Sequence, residues 1–134
     1  MRIYLAGSFV DQKELRTEAH RLWALGHEIT GSWLQEVKRP EGMPEDVFKH
    51  KLAIKDLCEV ARADMIICDN RRSSGGKNAE WGFALGEFQH KQLVLIGKPT
   101  NIFQELADLM FENWDDCINH LELEMEREVA SVVD

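Results

Sequence analysis

The chain has 134 residues, 44% of them hydrophobic, and a formal net charge of −8. That length and apolar content suit one compact domain, taken as residues 1–134, with a core of its own. The acidic balance disfavours a nucleic-acid polymer, whose binding rests on Lys and Arg neutralising phosphates, and leaves room for a small anion at a local positive site.

Ile3-Tyr4-Leu5-Ala6 is a short apolar run ending at Gly7-Ser8, and it predicts a first strand and loop. Residues 11–25 carry Leu15, Ala19, Leu22 and Trp23 at helical spacing, and Gly26 is a natural helix stop. His27-Glu28-Ile29-Thr30 reads as a second strand. Pro40, Gly42 and Pro44 mark a loop, after which Val47, Ile54, Leu57 and Ala61 trace the apolar face of a second helix. Met65-Ile66-Ile67-Cys68 is continuously apolar, as a parallel strand covered on both faces should be. A Ser73–Gly76 loop and a helix over residues 78–90 follow, then a strand at Leu93-Val94-Leu95-Ile96. A short helix near residues 102–106, a fifth strand at Leu109-Met110-Phe111 and a last helix from Trp114 complete the pattern. Strands alternating with helices predict a doubly wound α/β domain with a mostly parallel sheet of four to five strands. The last helix bears an apolar stripe of Ile118, Leu121, Met125, Val129 and Val132, for packing on its own sheet or against another subunit.

The glycines match neither common nucleotide fingerprint. Gly7 lacks the later glycines of G-x-G-x-x-G, and Gly75-Gly76-Lys77-Asn78 lacks the upstream Gly and the Ser/Thr of a P-loop. Five histidines, His20, His27, His50, His90 and His120, are scattered without metal-ligand spacing, so neither a metal nor a cofactor is expected. Gly-x-Ser-x-Gly does not occur. Cys58, Cys68 and Cys117 read as reduced, mostly buried thiols of a cytoplasmic protein. The N-terminus shows no signal pattern and no apolar run approaches membrane-spanning length, so no membrane partner is expected.

Carboxylate chemistry remains. In an open α/β sheet, ligands bind beyond the carboxyl ends of the strands, where the loops after the first and third strands share a crevice. Ser8, the Ser73-Ser74-Gly75-Gly76-Lys77 loop and Glu80 converge there, and Tyr4 could point its hydroxyl the same way. Hydroxyls, glycine amides and a helix N-terminus suit a phosphate. Placed in the first helical turn, Glu80 is expected to be ionised at neutral pH, either as a nucleophile or merely as a complement to the helix dipole. Asp56 reads from position alone as a surface carboxylate beside the apolar stripe.

Tyr4-Leu5-Ala6-Gly7-Ser8, then Asp56-Leu57 ahead of Ala63-Asp64, then Glu80-Trp81-Gly82-Phe83-Ala84 form an ordered set. Together with Gly26-His27-Glu28-Ile29-Thr30 before Trp33, and Asn101-Ile102-Phe103 before Trp114, the chain resembles the nucleoside 2-deoxyribosyltransferase superfamily over most of its length. Its pattern is nearest to the 2'-deoxynucleoside 5'-phosphate N-hydrolases. The resemblance implies a flavodoxin-like fold and a nucleoside or nucleotide substrate. It assigns Glu80 as the nucleophile at C1' of the sugar, Asp56 as the acid/base near the departing base, and Tyr4 as the group that orients the nucleophile. A homo-oligomer, dimer or larger, is expected. Base-exchanging members generally carry a carboxylate six residues before the nucleophile, where this chain has Ser74. A serine there, with Ser8, Ser73, the Gly75 and Gly76 amides and Lys77, Arg71 or Arg72, suits a 5'-phosphate and hence hydrolysis. Base exchange and a catalytically silent nucleotide-binding module are the alternatives. Gly7, Phe9 and Trp33 complete the expected substrate contacts, Phe9 and Trp33 as stacking surfaces with Trp81; the spacing of Trp81 with Leu85 and Phe88 assigns Trp81 to the core.

Overall fold

The computed structural model describes residues 1–35, 37–86 and 91–133. Five strands, β1 (Arg2–Ala6), β2 (Glu28–Ile29), β3 (Met65–Asp69), β4 (Gln92–Ile96) and β5 (Leu109–Phe111), form one sheet in the order β2-β1-β3-β4-β5. Every pairing is parallel. Helices α1 (Gln12–Ala24), α2 (Glu45–Arg62), α3 (Gly75–Leu85) and α4 (Trp114–Val133) supply the cover, with short 3-10 turns at Phe9–Asp11, Ser32–Leu34 and Ile102–Leu106. This order is the flavodoxin-like form of the doubly wound fold.

Strand alternation divides the core in two. Ile3, Leu5, Met65, Ile67, Val94 and Ile96 face α1 and α4, where Leu15, Leu22, Trp114 and Leu121 meet them. Tyr4, Ala6, Ile66, Cys68, Leu93 and Leu95 face α2 and α3, packing with Val60, Trp81 and Ala84. Tyr4 is therefore aimed at the helices that carry Asp56 and Glu80. Gly26, at φ +97°, ends α1 in the left-handed region that favours glycine.

Three helices differ in detail from the pattern read in the sequence. In α1, Leu15, Ala19 and Leu22 are buried at spacings of four and three, while Trp23, one residue further round, is 69% exposed. In α2, Val47 and Ile54 lie outward at 40% and 51% exposure, and the inward face is Leu52, Asp56, Glu59 and Val60. The chain turns two carboxylates of this helix toward the sheet, which breaks the apolar periodicity on the face that packs. Helix α3 starts at Gly75, three residues before the expected Asn78, so Glu80 sits in its second turn. The expected extension of that helix to His90, including Phe88, lies outside the described residues. In α4, Ile118 and Leu121 are buried, whereas Val129 and Val132 project into solvent beyond the sheet.

Candidate active site

The chain leaves β1 for α1 on one face and leaves β3 for α3 on the other, so a crevice opens at the carboxyl ends of these neighbouring strands. A cleft of about 590 Å³ occupies it. Gly7 closes its floor after β1, Ser74, Gly76 and Glu80 come from α3, and Leu52 and Asp56 come from α2. Phe9, Gln12, Trp33, Gln35, Val37 and Lys38 complete the wall. Gly7 is required by close approach, since a Cβ there would lie 2.6 Å from Leu15 Cδ1.

Glu80 is mostly withdrawn from water, and its Oε2 is buried without a hydrogen-bond partner among the described residues. Burial raises its pKa to about 7; the nearby Tyr4 hydroxyl favours the ionised form, and the charges of Asp56 and Glu59 oppose it. The sequence expectation of an ionised carboxylate is therefore met only in part at neutral pH, because desolvation raises its proton affinity. Tyr4 is fully buried, and burial with the adjacent Glu80 charge holds its hydroxyl well above the usual phenol range. That hydroxyl lies near enough to Glu80 to favour its ionised form, yet among the described residues it meets no partner at ordinary hydrogen-bond geometry.

Asp56 opens on the same cleft. Half burial and then the charge of Glu59 raise its pKa to about 6, with Lys55 pulling the other way. Glu80 and Asp56 therefore both change charge near neutrality, the range in which a carboxyl can take or give a proton during turnover.

The wall is set by backbone tethers. Trp33 donates its indole N–H to Leu5 O at 2.7 Å, Gln12 Nε2 donates to Trp33 O at 2.6 Å, and Arg16 Nε donates to Leu34 O at 2.9 Å. These contacts fasten the Ser32–Leu34 turn to β1 and α1 and leave the Trp33 ring beside the cleft. Phe9 is 74% exposed at its mouth, a position suited to stacking.

Ser74 occupies the N-cap of α3 in extended conformation, and its side chain makes no capping hydrogen bond. A Cβ built on Gly76 would sit 4.0 Å from both Ser74 Oγ and Glu80 Oε1, so the glycine keeps the passage between hydroxyl and carboxylate open. The other expected anion contacts are placed differently. Ser8, Ser73, Gly75 and Lys77 are not among the residues lining the cleft. Ser8 Oγ accepts the Val10 N–H at 3.3 Å and caps the turn after β1. Lys77 is 2% exposed and donates its ammonium to Arg72 O. Arg71 donates to Asp69 at 2.6 Å and Glu14 at 2.9 Å, and Arg72 pairs with Asp11 at 3.1 Å. These cations fasten the loop between β3 and α3, while Lys38 is the cation in the cleft wall.

Sequence reading missed Gln12, Gln35, Val37, Lys38 and Leu52 in the wall, and three residues behind it. Asp69, 2% exposed, receives Arg71 and the Trp114 indole N–H at 2.9 Å; burial would raise its pKa, but these hydrogen bonds hold it below the usual carboxylate range. Asn70 and Gln104 exchange amide hydrogen bonds at 2.9 and 3.0 Å, and Gln104 reaches Asn78 of α3 at 3.3 Å. Trp81, buried as expected, donates to Phe103 O at 2.9 Å. The helix carrying Glu80 is thereby pinned at its base. Among the described residues, no group of three His, Cys, Asp or Glu side chains is placed to hold a metal ion, and no helix is long and apolar enough to cross a membrane.

No protein-family model and no curated protein matches the sequence. Solved structures do match the fold. A 2-deoxyribosyltransferase from the psychrotolerant bacterium Bacillus psychrosaccharolyticus is 21% identical, with a TM-score of 0.68 over 89% of this chain and 91% of that one. A conserved protein from Enterococcus faecalis V583 is 13% identical, with a TM-score of 0.70 over 92% and 98%. The CMP N-glycosidase BcmB of Clostridium botulinum is 17% identical, with a TM-score of 0.55 over 92% and 99%. The chain thus shares, along nearly its whole length, the fold on which a deoxyribosyltransferase and a nucleotide N-glycosidase are built.

Proposed function

We propose that this protein hydrolyses the N-glycosidic bond of a nucleoside or deoxynucleoside 5'-monophosphate, releasing free base and the sugar 5-phosphate. The observation that carries this reading is the opening of Glu80 and Asp56 onto one cleft, each with a proton affinity raised toward neutrality. Ionised Glu80 attacks C1' as the bond to the base breaks, forming a glycosyl ester, and Asp56 delivers its proton to the departing base. Water then adds at C1', its proton returns to Asp56, and Glu80 leaves as the carboxylate. Tyr4, buried beside Glu80, favours its ionised form. Ser74 and the Gly76 amide receive the 5'-phosphate, helped by the positive end of the helix.

Base exchange between nucleosides is the second reading, favoured by the engagement of Arg71, Arg72 and Lys77 outside the cleft. Incubation with matched (deoxy)nucleosides and monophosphates, with and without added free base, separates the two by chromatography. Free base from monophosphates supports hydrolysis, exchanged nucleosides support transfer, and binding without turnover overturns both. The exposed Val47 and Ile54 of α2 support a homo-oligomer, dimer or larger, and the three free cysteines support a cytoplasmic setting.

A further inference from the structure

Glu59 lies three residues after Asp56 on α2, hence on the same side of the helix. It is 6% exposed and does not line the cleft. Its Oε2 accepts the Ser32 N–H at 2.8 Å, its Oε1 accepts the Ser32 hydroxyl at 2.7 Å, and its carbonyl accepts the Thr30 hydroxyl at 3.0 Å. The two bonds from Ser32 fix the carboxylate, one turn of α2 from Asp56, and among the described residues it makes no ion pair. A buried negative charge held in place without a cation acts on whatever titrates beside it.

We propose that Glu59 is a positioning residue of the candidate site: locked by Ser32 about one helical turn from Asp56, its carboxylate holds the Asp56 carboxyl ready to carry the proton that the departing base receives. Its catalytic consequence rests on the proposed function; its effect on Asp56 does not. The groups facing Asp56 are Glu59 and Lys55 from its own helix, Glu80 from α3, Tyr4 from β1 and Lys38 across the cleft. Burial contributes most to the raised affinity of Asp56, Glu59 adds to it and Lys55 opposes it. Glu59 also disfavours the charge on Glu80, so one side chain that touches no substrate acts on both members of the pair.

The test is Glu59→Gln, which keeps the shape and the ability to bond Ser32 but removes the charge. Carbon-13 NMR of the Asp56 carboxyl in the ligand-free protein should show its midpoint falling by about half a pH unit or more. In turnover, both limbs of the kcat profile should move to lower pH, cutting the rate at pH 7.5 about threefold and raising it at pH 5.5. Should the amide variant not fold, Glu59→Met fills a similar volume without charge and gives the same NMR reading. An unmoved Asp56 midpoint in either folded variant overturns the proposal. A moved midpoint in a protein that turns over no nucleoside or nucleotide supports the charge effect and overturns the functional reading instead.

Discussion

The Tyr4 hydroxyl and Glu80 Oε2, brought together from β1 and α3, are both buried and both without a hydrogen-bond partner among the described residues. Buried polar atoms are normally paired, because an unpaired one forfeits its hydration for nothing. The strands and helices around them hold this arrangement. Tyr4 sits in β1, paired between β2 and β3, and Glu80 rides on a helix anchored by Lys77, Trp81 and Asn78.

At acid pH, where Glu80 holds its proton, Tyr4→Phe should therefore fold with unchanged or slightly higher stability, since it removes a desolvated hydroxyl and leaves the ring packing intact. The hydroxyl lowers the pKa of Glu80, so its loss raises that pKa. The acid limb of kcat/KM should move to higher pH, with the larger activity loss below pH 7. Thermal unfolding and a pH–rate profile check both halves, and an unmoved acid limb would separate Tyr4 from the nucleophile.

Glu80→Gln should lower kcat about 10³-fold or more while preserving ligand binding, because the amide keeps the shape but cannot capture the sugar cation. The same variant should be more stable than the native chain in mild alkali. Glu80 has a folded pKa of about 7 against 4.5 in its ordinary state, so the folded state favours its protonated form. Its stabilising share is complete below the unfolded value and is lost as pH rises through the folded one. Removing the carboxylate should gain about 2 to 3 kcal/mol at pH 8 and nothing below pH 4.5. Melting temperatures at pH 4.5 and 8 give the comparison, and equal differences at the two pH values would contradict the burial of Glu80.

Asp56→Asn should slow departure of poor leaving bases far more than good ones, because only the former need a proton. Under the proposed mechanism, activity needs Glu80 ionised and Asp56 protonated, with values of about 7 and about 6. The rate falls below the first as Glu80 gains its proton and above the second as Asp56 loses its own. The profile is a narrow bell with its maximum between these values, and its two limbs belong to the coupled pair. Equal losses for good and poor leaving groups would remove Asp56 from the acid role.

The fold was legible because parallel strands covered on both faces are written as unbroken apolar runs, as at Met65-Ile66-Ile67-Cys68. Glu80 and Asp56 were legible through their ordered resemblance, and both reach the cleft. The inward face of α2 was not, because a helix that turns Asp56 and Glu59 toward its own sheet no longer follows the apolar period. Glu59 left one local signal, its three-residue offset from Asp56. Lys77 reads as an anion contact from its place beside two glycines, yet its ammonium goes to Arg72 O, a partner determined by how the loop folds back. Gln12 left none, since it reaches Trp33 across 21 positions of sequence.

Ser74→Asp should reverse the preference between phosphorylated and unphosphorylated substrates. Ser74 lines the cleft at the start of α3 with its side chain uncommitted to capping, and Gly76 leaves clear space between it and Glu80. On the proposed reading, a sugar with C1' at Glu80 extends its 5' end along that space to the hydroxyl. Aspartate is itself a favoured N-cap, so the helix should form as before and the variant isolates the change of charge. A carboxylate there repels a 5'-phosphate and accepts a hydrogen bond from a 5'-hydroxyl. Losing one charge-assisted contact costs roughly 1.5 to 3 kcal/mol, so kcat/KM for the monophosphate should fall at least about tenfold before repulsion is counted. Among the described residues, Lys38 is the cation in the wall, and no arginine lines it to offset the added charge. Steady-state kinetics on a nucleoside and its own monophosphate give the ratio directly, and an unchanged ratio would mean that the 5' end lies elsewhere in the cleft.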